Sequence, residues 1–104
     1  MPYIRTTVSK SINPGQRDIL KSKLGNAIAL IPGKSEAWLM LAFEDNMSMY
    51  FKGDNSADYA YVEVSLFGGA SDAAYDRLTA AISEIISETL GIDSSNIYIK
   101  YEEA

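Results

Sequence analysis

The sequence predicts an α/β (α+β) fold: a tandem βαβ repeat, in the order βαββαβ, with two helices on one face of a four-stranded mixed sheet. Three observations carry that expectation. Four short segments are rich in β-branched and aromatic residues, two longer ones place apolar residues at helical spacing, and the chain matches itself at an offset of 58 residues. Residues 1–104 read as a single domain, long enough to bury about two-thirds of the unfolded surface.

Tyr3 to Ser9 (YIRTTVS) alternates and reads as a strand. Asn13-Pro14 is a helix start, with the asparagine as N-cap and proline at the first helical position, where a missing N–H costs nothing. Ile19, Leu20, Leu24, Ala27, Ile28 and Ile31 then fall on one face, and Pro32-Gly33 stops the helix. Trp38 to Phe43 (WLMLAF) is an almost continuous apolar run, the pattern of a strand covered on both faces. Glu44-Asp45-Asn46 turns into a short piece, Met47 to Phe51, which reads as a connecting hairpin, and Gly53-Asp54-Asn55-Ser56 is a polar loop. Tyr59 to Phe67 (YAYVEVSLF) is a further strand, closed by Gly68-Gly69. Ser71 is the N-cap expected for a second helix, whose apolar face carries Ala74, Leu78, Ala81, Ile82, Ile85 and Ile86. Gly91 ends it, because a left-handed residue after a helix is least strained as glycine. Asn96 to Tyr101 (NIYIKY) is the closing strand.

The internal match needs no gap. Tyr3-Ile4 falls on Tyr61-Val62, Leu20 on Leu78, Leu24 on Ile82, Gly33 on Gly91 and Leu39 on Ile97, which defines pseudo-repeats of about 2–51 and 59–101. The repeat also exposes an asymmetry: Pro2 falls on Ala60, in mid-chain, so only the first copy can offer a free amine at its strand start.

Composition narrows the chemistry. A net charge of −5 argues against nucleic acid or an anionic membrane as partner, since both call for clustered Lys and Arg. No apolar run reaches membrane-spanning length and the amino terminus has no signal-peptide core, so a cytoplasmic protein is expected and the sequon Asn46-Met47-Ser48 carries no weight. With no Cys there is no disulfide, thiol nucleophile or thiolate metal site; with no His the commonest general base and metal ligand is missing. Catalysis would fall to carboxylates, Lys, Tyr, Ser or Thr, backbone groups or the terminal amine.

That directs attention to Pro2. Initiator methionine is commonly removed before proline, which would leave a secondary amine at the chain start. A terminal amine has a reference pKa near 7.7–8.0, and an apolar pocket or a nearby cation lowers it further, toward the value a general base needs near neutrality. Lys34, in the Gly33-Lys34-Ser35-Glu36 loop, belongs to the end of the sheet where the first strand begins. It can stand beside that amine and bind an acidic substrate group, or be a solvated lysine favourable to the helix dipole. Phe67-Gly68-Gly69 either lets a ligand approach backbone N–H groups or is a plain turn into the second helix.

Met1-Pro2-Tyr3-Ile4, Gly33-Lys34-Ser35-Glu36 before an apolar strand, Met49-Tyr50-Phe51-Lys52-Gly53 and Ile97-Tyr98-Ile99, in that order over nearly the whole chain, resemble the tautomerase superfamily. The closest branch is of the macrophage migration inhibitory factor (phenylpyruvate tautomerase, dopachrome isomerase) type. The resemblance implies a single tautomerase-like domain that forms a homotrimer with sites between subunits. It implies Pro2 as catalytic base, Lys34 on the substrate carboxylate, the backbone N–H at Phe67 on the substrate, and Tyr98 supplied by a neighbouring subunit. Tyr3 and Lys100 are expected among the substrate-binding residues, although Lys100 stands where the family has an asparagine. Phe67 is bulkier than the usual aliphatic residue, and the sequence closes at Glu102-Glu103-Ala104 where members usually continue with a tail bearing a pocket tryptophan. The Cys-x-x-Cys of animal members is absent, which excludes a thiol-oxidoreductase role.

The expected activity is cofactor-independent keto–enol tautomerisation of a small 2-oxo acid, with no metal. Tyr3, Trp38, Phe67 and Tyr98 suggest a slot tolerant of an arylpyruvate, or else core and subunit interface. The alternative is a non-catalytic, trimeric ligand-binding or interaction module, with a cytokine-like role by analogy. The βαββαβ order also suits ferredoxin-like regulatory domains, and fold alone does not fix function.

Overall fold

The computed structural model describes residues 1–104. Four strands, β1 (Tyr3–Val8), β2 (Met40–Glu44), β3 (Ala60–Leu66) and β4 (Ile97–Glu103), form one sheet in the order β2-β1-β3-β4. Helices α1 (Pro14–Ala27) and α2 (Asp72–Leu90) join the parallel pairs β1–β2 and β3–β4, and the two central strands run antiparallel. Two helices on a four-stranded mixed sheet is the architecture the sequence predicts.

The register carries the internal match. Tyr3 sits beside Met40 and Ile4 beside Leu41 in the first parallel pair; Tyr61 sits beside Tyr98 and Val62 beside Ile99 in the second, each position raised by 58. Between the halves, Ile4 faces Val64 and Thr6 faces Val62, so a pseudo-twofold axis passes between β1 and β3. Alternation does the rest. Ile4 and Val8 of β1 and Val62, Val64 and Leu66 of β3 point to the helices and are buried. Leu20 and Leu24 of α1 and Leu78, Ile82 and Ile86 of α2 cover them in one hydrophobic cluster.

The helix ends follow the capping residues. The Asn13 side chain accepts from the Gln16 N–H at 2.8 Å while the Gln16 side chain accepts from the Asn13 N–H at 3.0 Å, a reciprocal capping box behind Pro14. Ser71 accepts from the Ala74 N–H at 3.2 Å, and Gly91 closes α2 at φ 72°. The first helix tightens into a 3-10 turn at Ile28–Leu30 before Pro32, because proline cannot continue the ladder. Ile19, expected on the buried face, is 46% exposed and lies at its margin.

Two other expectations are corrected. The Trp38–Phe43 run is not a strand covered on both faces: Glu36–Trp38 forms a 3-10 turn, the strand starts at Met40, and β2 is an edge. Leu41 and Phe43 pack on the core, whereas the other face of β2 is left open, and Trp38 is 70% exposed. The connecting hairpin shrinks to one rung. Phe51 and Asp54 exchange both backbone hydrogen bonds around Lys52 and Gly53, which both have positive φ, the geometry of a tight two-residue turn. Asp54 then accepts from the Ser56 N–H and hydroxyl, which draws the backbone out of the ladder.

Candidate active site

Pro2, Lys34 and Phe67 come together at one end of the sheet. Pro2 is buried, and its carbonyl accepts from the Met40 N–H at 3.0 Å. Tyr3 faces Ser65, so one more step of the antiparallel register sets Pro2 opposite Leu66, next to Phe67. Lys34 follows Gly33, whose φ of 81° ends the turn after α1, and its N–H donates to the Ile31 carbonyl. Its ammonium group reaches across to donate to the Phe67 carbonyl at 3.0 Å. Phe67 leaves β3 on a bend, with its ring 69% exposed and its own N–H donating to no group of the chain. A lysine cation with two donors to spare and an unused backbone donor therefore share one spot.

The open face of the sheet carries charge. Arg5 bonds Glu44 through Nε and the guanidinium edge and lies 3.8 Å from Glu63, and the Glu44 hydrogen bond, with the attraction of Glu44, raises the Arg5 pKa. Tyr3 and Lys100 line a shallow concavity of about 180 Å³ here with Arg5, Glu63 and Ser65, and Lys100 stands 3.6 Å from Glu102.

Tyr98 is at the far end. It sits beside Tyr61, which faces Thr7, four residues along β1 from Tyr3. At about 3.3 Å per residue that is ~13 Å along the sheet from Tyr3, besides two strand spacings. The Tyr98 ring meets Phe51 edge-on at 5.5 Å in a mostly apolar concavity of about 180 Å³ with Tyr50, Tyr59 and Asn96. Burial, then Asp54, raises the pKa of the Tyr59 phenol. Within one chain, Tyr98 stands apart from Tyr3 and Phe67, because its register puts it at the other end of the sheet. Tyr98 likewise does not reach Pro2 in its own subunit, whereas Lys100 shares the concavity of Tyr3.

Sequence reasoning missed the residues that fasten the Phe67 loop. The Tyr75 hydroxyl accepts from the Ala70 N–H at 3.1 Å and donates to Glu103, and the Gly68 N–H donates to the Ala104 carbonyl at 3.2 Å. The Glu103 hydrogen bond, with burial, raises the Tyr75 phenol pKa, so the proton stays on the hydroxyl. An aromatic residue four positions after the cap Ser71 was the available signal. No group of three or more His, Asp or Glu side chains is placed to hold a metal ion.

The family model for macrophage migration inhibitory factor (MIF) matches residues 1–104. The chain belongs to the MIF family. Among solved structures, Leishmania major MIF2 is 31% identical with a TM-score of 0.92, over 100% of this chain and 89% of that one. Two more distant structures share the fold. Pt0534 inactivated by 2-oxo-3-pentynoate is 16% identical, with a TM-score of 0.87 over 98% of this chain and 85% of that one. A fused 4-OT wild-type symmetric trimer is 18% identical, with a TM-score of 0.86 over 98% and 85%. No curated protein sequence is a significant match. MIF-family membership and the superfamily fold support a tautomerase-like or MIF-like role, and no helix is long and apolar enough to cross a membrane.

Proposed function

We propose that this MIF-family protein, once Met1 is removed, is a cofactor-independent keto–enol tautomerase of small 2-oxo acids of the arylpyruvate type. One observation carries the reading: buried Pro2 lies at the sheet end where the Lys34 ammonium and the unused Phe67 N–H meet. With Met1 gone, the Pro2 nitrogen becomes a secondary amine whose protonated form is disfavoured by burial and by the lysine. The amine takes the proton from the carbon beside the carbonyl; the C–H electron pair becomes the enolate double bond and the carbonyl oxygen gains charge. Protonation of that oxygen gives the enol, and the reverse path gives the ketone. Lys34 holds the carboxylate, and the Phe67 N–H meets the charge developing on oxygen, where a well-aimed donor is worth about 10²–10³ in rate.

Tyr98 enters from a second copy in a homotrimer, which would bring the far end of one sheet to the Pro2 end of the next. The fused 4-OT symmetric trimer supports that assembly, and the inactivation of Pt0534 by a 2-oxo acid supports the substrate class. The test is to confirm Met1 loss by intact mass and then follow phenylpyruvate enol–keto conversion by ultraviolet absorbance. Pro2→Ala should lose about 10²–10⁴ in kcat, the range of a positioned general base. Equal rates for the two proteins would remove Pro2 from the mechanism, and an inert trimmed wild type would leave a ligand-binding module.

A further inference from the structure

The Phe67–Ala70 loop contains two consecutive glycines in the left-handed region, Gly68 at φ 87° and Gly69 at φ 77°. Such a pair has more conformations to lose than any other dipeptide, so the loop holds one shape only if something outside it imposes that shape. Three attachments do so. Lys34 donates to the Phe67 carbonyl, but the same ammonium is the group assigned to the substrate. The end of β4 adds a backbone rung, with the Ala104 N–H on the Leu66 carbonyl at 2.9 Å and the Gly68 N–H on the Ala104 carbonyl. The third is Tyr75, whose hydroxyl accepts from the Ala70 N–H and donates to the Glu103 carboxylate. That uses the one proton and one of the two lone pairs a phenol offers.

Tyr75 cannot swing away easily. Its ring packs on Tyr101 at a tilt of 39° with centroids 4.4 Å apart, and the Tyr101 hydroxyl reaches both the Tyr75 carbonyl at 3.2 Å and Thr79 at 2.7 Å. Glu103 in turn lies directly over Gly69, where a methyl group would land on the carboxylate. The Glu103 side chain thus presses on the second glycine while Tyr75 holds Ala70 just beyond it.

We propose that Tyr75, through Ala70 and Glu103, is a positioning residue that holds the Phe67 N–H in place for the enolate oxygen. This rests on the tautomerase reading. Because the donor acts on charge that develops in the transition state, its displacement lowers kcat more than it raises KM, the opposite of losing a carboxylate anchor such as Lys34.

The experiment uses the trimmed full-length protein with Tyr75→Phe, Glu103→Ala and Glu103→Gln. It reads kcat and KM for phenylpyruvate together with residue-resolved amide hydrogen exchange. Tyr75→Phe and Glu103→Ala should lower kcat about tenfold, with KM within about twofold, since sub-ångström misplacement is enough for such losses. The Ala70 and Gly68 amides should exchange at least about tenfold faster in both variants while Leu78 and Ile82 amides stay unchanged, the mark of a local opening. Glu103→Gln should restore wild-type behaviour, because its amide oxygen still accepts the Tyr75 hydroxyl. Wild-type kcat in Tyr75→Phe overturns the inference, and so does faster exchange spread over all of α2, which would make Tyr75 a general stabiliser. If the wild type does not turn over phenylpyruvate, the tautomerase reading fails and the exchange data still decide the loop: local loosening supports the clamp, and no change removes it.

Discussion

The two βαβ halves have the same framework and different chemistry. Leu20 and Leu78, Leu24 and Ile82, and Ile28 and Ile86 are matched and fully buried, and the parallel registers agree step for step. The departures coincide with the candidate site. Pro2 is matched by Ala60, Lys34 by the buried Ile92, and Phe67 by Ser9. The last pair is the most instructive. The Ser9 N–H donates to the Tyr59 carbonyl at 3.1 Å, whereas the Phe67 N–H donates to nothing, so the pseudo-symmetry leaves one donor free by breaking one hydrogen bond. Packing repeats along the helix faces and strand interiors, and chemistry diverges at loops and strand starts.

The largest test of equivalence is in the core. Leu20→Ala and Leu78→Ala should each cost about 2–5 kcal/mol by denaturant titration, since both side chains are fully buried. Agreement within about 1 kcal/mol would show the halves to be energetic as well as geometric copies; a gap of more than about 2 kcal/mol would break the comparison. The caps should differ in a smaller way. Asn13→Ala removes half of a capping box and should cost about 1–2 kcal/mol, while Ser71→Ala removes a single longer bond and should cost about 0.5–1 kcal/mol. Equal costs would mean that the reciprocal Gln16 bond adds nothing.

The smallest effect is acid sensitivity of the second half. The 3-10 turns Glu36–Trp38 and Ser94–Asn96 are matched, yet Ser35 makes no side-chain cap while Asp93 accepts from the Ser95 hydroxyl and N–H. The hydroxyl bond first, then the backbone bond, holds the Asp93 carboxyl below its ordinary 3.8. A folded-state pKa below the unfolded one gives stability that is present above pH 3.8 and lost as pH falls through the lower folded value. The protection of the Ser95 and Asn96 amides, taken relative to their intrinsic exchange rates, should therefore fall on acidification below pH 3.8, and Asp93→Asn should flatten that fall. An unchanged profile in the variant would assign the acid response elsewhere.

The elements, the caps at Asn13 and Ser71 and the glycine stop at Gly91 were legible because each depends on side chains within a few residues. The Pro2–Lys34–Phe67 meeting was partly legible, since a βαβ unit must return its loop to the end where it started. The environment of β2 was not. Its apolar run marks positions withdrawn from water, and a single chain leaves Trp38 and one face of Met40 uncovered, so composition alone placed the strand inside. Tyr98 reads as a site residue only through the family pattern, because its register partner Tyr61 takes it away from Pro2. The Tyr75–Glu103 contact joins residues 28 apart and follows no local spacing rule.

The attachment of Glu103 and Ala104 to the Gly68–Gly69 bend bears on synthesis. Every residue assigned to the candidate site, from Pro2 to Lys100, has been added to the chain before residues 103 and 104 are. A chain that has reached Lys100 therefore holds Pro2, Lys34 and Phe67 without the residues that fasten the Gly68–Gly69 bend. The contacts that fasten the loop come from the end of β4, so the site cannot be completed by the amino-terminal half folding first.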